Sequence, residues 1–127
     1  MSFSLSRNEH FMNEFAKNIR PFVSLEIAAA AEADGDSASF MHLQRAHVLG
    51  QASTREHVRV HFRMLVWALR HRRAREVSGQ VLRLLGAATL TAIGMVPAGN
   101  TGGTNVSPFQ KMAVARDLAI LITMAQR

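Results

Sequence analysis

The stretch His57–His71, HVRVHFRMLVWALRH, sets three histidines among Val, Phe, Leu and Trp, with Arg threaded between them. At about 100° per residue it reads as an amphipathic helix. His57, His61, Met64, Ala68 and His71 share one stripe. Val58, Phe62, Leu65 and Leu69 flank it on one side, Val60 and Trp67 on the other. Arg59, Arg63 and Arg70 fill the opposite sector, the one suited to water. The imidazoles therefore fall inside the apolar sector, between two packing faces.

Helical spacing continues outward in both directions. STRE places an N-cap at Ser53 and a capping-box partner at Glu56, so this helix is expected to run from there to about residue 72. Before it, residues 37 to 49 form a helix that stops at Gly50. The short turn at Gly50 to Ala52 makes the two antiparallel neighbours. A first helical stretch spans about Asn8 to Asp34, divided at Pro21, which lacks a backbone donor. A fourth covers about Arg75 to Ile93 with Gly79 and Gly86 inside it. PAGNTGGTNVSPF reads as a loop, and a last helix lies near Val114 to Gln126. No alternating strand of useful length is visible. The expected architecture is all-α: residues 1–127 as a single compact bundle of about five helices. Within it, AEADGDSASFMHLQRAHVLGQ resembles one tetratricopeptide helical hairpin, and only one unit is present where an array needs about three.

On the helix before Gly50, Phe40, Leu43, His47 and Gly50 share a stripe, so His47 points inward and His42 away. His47 lies about one turn before the connection and His57 about one turn after it. This spacing brings His47, His57 and His61 together, with His71 about 20 Å further along. An i, i+4 pair of imidazoles with a third nearby is a ligand set for a divalent transition metal, Zn²⁺, Cu²⁺ or Ni²⁺. Glu26, on a stripe with Phe22, Ala29 and Ala33, is expected to reach the cluster as a ligand or as an acceptor for an imidazole N–H. The alternatives are a small-ligand pocket and a structural network in which buried histidines bond carbonyls or carboxylates.

The rest of the sequence mainly excludes. With 127 residues, 48% of them hydrophobic, the chain can bury a core. A net charge of +6 allows an anionic partner without requiring one. WALRHRRARE is basic but carries no recognition motif, so a solvated helix face is the expected reading and nucleic acid is not the expected partner. The absence of cysteine excludes disulfides, thiolate metal sites and cysteine nucleophiles. The start shows no signal-peptide pattern. The longest apolar run, LLGAATLTAIGMVP, falls short of the about 20 residues that span a bilayer. A cytoplasmic protein without a membrane segment is expected. Asn100, Thr101, Gly102 and Gly103 can cradle a ligand with backbone amides, or form a shaped connector; a P-loop ending is missing. The Gly-Gln pairs at 50–51 and 79–80 offer amides that can cap helix ends, bond the glycine-rich loop or serve packing. No nucleophile–base arrangement stands out, so an accessory or binding role is favoured over catalysis. A helical module that docks a protein partner through the first hairpin is the alternative class.

HLQRAHVLGQASTREHVRVH, followed by SGQ and GNTGGTNVSPF, resembles a family of small bacterial proteins classified as a domain of unknown function. The resemblance runs from NIRPFVSLE to the final helix. It rests on His47-x-x-Gly50-Gln51, His57-x-x-x-His61 and Gly99-Asn100-Thr101-Gly102-Gly103. It implies a genetic neighbourhood of heavy-metal resistance genes and no catalytic residues. KMAVARDL departs from the pattern, where the resemblance leads one to expect prolines before the last helix.

Overall fold

The computed structural model describes residues 2–90, 102–104 and 111–127, with the side chains of 2–5 and 88–90 outside that description. Five helices account for most of it: α1 Ser2–Glu32, α2 Asp36–Gly50, α3 Thr54–Arg70, α4 Ala74–Leu90 and α5 Arg116–Ala125. No strand occurs among the described residues. The expected all-α bundle is observed.

The core forms where α1, α2, α3 and α5 meet. Phe15, Ile19, Val23 and Ala30 supply the buried stripe of α1, at spacings that keep one face of a helix inward. They pack with Leu43, Ala46 and Leu49 of α2, Val60 and Met64 of α3, and Leu118 and Ala125 of α5. Asn18 ties the end of α5 to α1 by donating to the Ala125 carbonyl at 3.2 Å. Among the described helices, α4 packs on α3 alone. No helix among the described residues is long and apolar enough to cross a membrane.

Pro21 does not divide the first helix, as its chemistry led us to expect; α1 runs through it. Pro21 is exposed and lies away from the Ile19 and Val23 stripe. The backbone bond it forgoes is thus on the watered face, while packing on both sides of it keeps the helix intact. The stripe flanking the α3 histidines also departs from expectation: Phe62 and Leu69 are exposed, so the packing face of α3 is narrower than the apolar pattern suggests.

Two turns position the site. Gly35, at φ 95°, reverses the chain between α1 and α2. Gly50 ends α2 against α3: a Cβ there would lie 2.9 Å from Cβ of Glu56 and 3.3 Å from Cγ2 of Val23. Only glycine lets the two helices approach this closely.

Candidate metal centre

The capping signal at the start of α3 is half realised. Ser53 adopts an extended backbone and its hydroxyl accepts from the Glu56 amide at 3.4 Å. The reciprocal bond is absent, because the Ser53 amide donates instead to the Gly50 carbonyl at 2.9 Å. Glu56, only 1% exposed, pairs with Arg59 at 2.9 Å, and Arg59 also donates to the Ser24 hydroxyl. Arg59, placed by its helical position in the watered sector, is thereby held by this carboxylate. This tight start fixes the rotation of the first two turns of α3.

That rotation carries His57 and His61 onto His47 at the last turn of α2. The Nε2 atom of His47 lies 2.9 Å from that of His57 and 3.1 Å from that of His61. The His57 and His61 Nε2 atoms are 3.1 Å apart. Three imidazoles thus present one nitrogen each to a common point, and all three residues are buried, at 2, 5 and 3% exposure for His47, His57 and His61. Burial pushes the His57 imidazolium down to about 3, with His61 beside it adding to the effect. Burial likewise pushes His61 down to about 4; its hydrogen bond to Gln80 works against that shift, as does the Glu76 charge, while the Arg83 charge reinforces it. Neutral imidazole, the form that ligates metals, is therefore the resting form of both.

α4 completes the surroundings. Gln80 is fully buried and its Oε1 lies 2.5 Å from Nδ1 of His61. Its amide nitrogen donates to Glu76 Oε1 at 2.7 Å and to the Gly102 carbonyl at 2.9 Å. Arg83 donates to the same carbonyl at 2.6 Å and to that of Gly103. Glu76 in turn accepts from the amide and hydroxyl of Thr104. Residues 102–104 form a strap held along one face of α4, and two glycines make its course fit. A Cβ on Gly79 would collide with Cγ2 of Thr104, and one on Gly102, at φ 79°, would fall 2.5 Å from Cδ2 of His47.

The triad expected from spacing is therefore assembled, and His71 stands apart from it, bonded to Trp67 and Asp36. Glu26 is not where it was expected. Its carboxylate meets His42 at 2.7 Å and Arg45 at 2.9 Å on the outer side of α2, and the side chain that meets an imidazole Nδ1 is Gln80. Of the loop residues, Gly102 and Gly103 are buried beside the triad; Asn100 and Thr101 lie outside the described residues. The Gly-Gln pair at 79–80 does bond the glycine-rich loop. What the sequence reading missed was the link from Gln80 to His61 and the supporting Glu76 and Arg83. Their signal was a polar stripe at i, i+4 and i+7 along one face of α4.

No curated protein and no solved structure matches the chain. A family model described as "Protein of unknown function (DUF3703)" matches residues 17–122, a span that takes in the triad, α4 and the strap, and the chain belongs to that family.

Proposed function

We propose that the protein is a cytoplasmic accessory protein that binds a divalent transition metal, Zn²⁺, Cu²⁺ or Ni²⁺, through Nε2 of His47, His57 and His61. One observation carries this reading: three Nε2 atoms in mutual contact at 2.9 to 3.1 Å. An imidazole nitrogen either bears a proton and donates, or is bare and accepts. With two kinds of nitrogen and three mutual neighbours, at least one pair must be alike, and a like pair at this distance repels. A cation shared by three bare nitrogens removes the conflict. Nitrogens bound at about 2.0–2.1 Å with tetrahedral angles lie roughly 3.3 Å apart, so the triangle opens by only a few tenths of an ångström on loading. The neutral, cysteine-free donor set suits borderline metals, and the resemblance to small bacterial proteins encoded near heavy-metal resistance genes agrees with it.

Thermal melts with and without each metal test the proposal. An ion that binds only the folded state stabilises it by about 2.7 kcal/mol at a hundredfold excess over its dissociation constant. The gain should vanish in the His47, His57, His61 triple substitution to Gln and persist in His71→Gln. Equal responses of wild type and triple variant would reduce the triad to a structural network. The second reading, a helical interaction module working through the first, tetratricopeptide-like hairpin, draws on Leu25 and Met41, which are exposed there. Light scattering across concentration, with a pull-down, tests it; a strict monomer that captures no partner counts against it.

A further inference from the structure

The amide of Gln80 has one donating end and one accepting end, and its surroundings decide which is which. Glu76 Oε1 and the Gly102 carbonyl, at 2.7 and 2.9 Å, both accept. A carboxylate and a backbone carbonyl have no proton to give. The amide nitrogen must face them, so Oε1 faces His61, 2.5 Å from Nδ1. An amide oxygen only accepts. His61 Nδ1 therefore carries the proton, and a neutral imidazole protonated at Nδ1 has a bare Nε2.

We propose that Gln80, oriented by Glu76 and the Gly102 carbonyl, is the positioning residue of the centre: it locks His61 in the Nδ1–H form and so presents a bare Nε2 to the triangle. The use of that lone pair rests on the metal reading above; the tautomer itself does not. The chain of command runs from a carboxylate on α4, through an amide, to one imidazole. It transmits orientation without placing a negative charge against the donor set. Thr104 holds Glu76 in place through its amide and hydroxyl, so the strap belongs to the same unit.

Two measurements test the assignment. Long-range ¹⁵N–¹³C correlation spectra of imidazole-labelled, metal-free protein should show His61 protonated at Nδ1 in wild type, with the Nε2–H form appearing in Gln80→Leu. Titration with Co²⁺, followed by its visible absorption, should show affinity falling about 10- to 100-fold in Gln80→Leu, as for other groups that orient a ligating imidazole. Glu76→Gln should lose less than that, because the Gly102 carbonyl still orients the amide. A purely structural role would lower the melting temperature while leaving tautomer and affinity alone. Wild-type His61 protonated at Nε2 overturns the proposal even if Gln80→Leu fails to fold. So does a folded Gln80→Leu that binds Co²⁺ as wild type does. Wild type that binds no Co²⁺, with His61 protonated at Nδ1, sinks the metal reading and leaves the role of Gln80 supported.

Discussion

The two ends of α3 carry the same residue on the same stripe and put it to different use. At the first end, His57 and His61 face a third imidazole and a buried amide, away from water. At the other, His71 stacks on Trp67, with ring centroids 4.5 Å apart and planes 24° from parallel. Its Nδ1 lies 2.8 Å from the Trp67 carbonyl and its Nε2 lies 3.2 Å from Asp36, a carboxylate about half exposed. That carboxylate, which also pairs with Arg73 at 3.3 Å, gives the imidazole an acceptor with no proton of its own. Two further imidazoles give it a partner only by sharing a cation or leaving one pair in conflict. What separates the ends is which neighbours close over them: the end of α2 and the strap at one, the start of α2 at the other.

The glycines at the two ends sharpen the contrast most. Gly102 and Gly35 both have positive φ, 79° and 95°, which costs an L side chain about 1–3 kcal/mol. A Cβ at Gly35 meets nothing within 4 Å, whereas one at Gly102 strikes the His47 ring. Gly102→Ala should therefore cost about 3 kcal/mol or more, adding overpacking to strain, against about 1–3 kcal/mol from backbone strain alone for Gly35→Ala, whose ψ of 156° lies where glycine is strongly preferred. Urea denaturation measures both, and equal costs would mean that the strap does not press on the triad.

Acid is the next largest lever. His57 and His61 have folded-state values of about 3 and 4, below the roughly 6.5 of an unfolded chain. Between those limits the unfolded state binds more protons than the folded one. The metal-free protein should thus hold its full stability above about pH 6.5 and lose it as pH falls, with a slope approaching about 1.4 kcal/mol per pH unit for each imidazole. His57→Gln and His61→Gln should each flatten that slope. A wild-type stability that stays level from pH 7 to pH 5 would contradict the burial of these groups.

The far end should respond less. His71→Ala removes a stacked, partly exposed ring and should cost about 0.5–1.5 kcal/mol, with no change in metal response. Trp67→Phe should be smaller still, within about 1 kcal/mol of neutral. Among the described residues the buried Trp67 indole nitrogen has no hydrogen-bond partner, so losing it relieves a desolvation penalty while the smaller ring gives up contact area. A cost above about 2 kcal/mol would show that the indole N–H is satisfied after all.

The triad was legible because its geometry is local. An i, i+4 pair fixes two imidazoles on one helix face, and a three-residue turn fixes the third relative to them. Ser53 could be read as the N-cap for the same reason. The rest depended on how helices rotate against one another, which spacing does not encode. Glu26 was assigned to the cluster from its stripe with Phe22 and Ala29, yet the buried stripe of α1 runs through Ile19 and Val23. That rotation delivers Glu26 to His42 and Arg45. Gln80 escaped notice as a partner of His61 because an amide has no ligand signature, and only the docking of α4 on α3 brings it there. Pro21 misled because its cost depends on which side of the helix faces water.

The attachment of α4 has a consequence for how the molecule comes apart. Among the described helices α4 packs on α3 alone, whereas α1 and α2 each pack on three, and elements with fewer partners open locally at a lower free energy than the whole fold. Its amide protons are expected to exchange with solvent ahead of those in the α1–α2 pair. The three nitrogens sit on α2 and α3, the durable part, while the amide that orients one of them sits on the detachable part. Partial opening would leave the donors in place and unlock only their alignment, so a bound ion would register as slower exchange along α4.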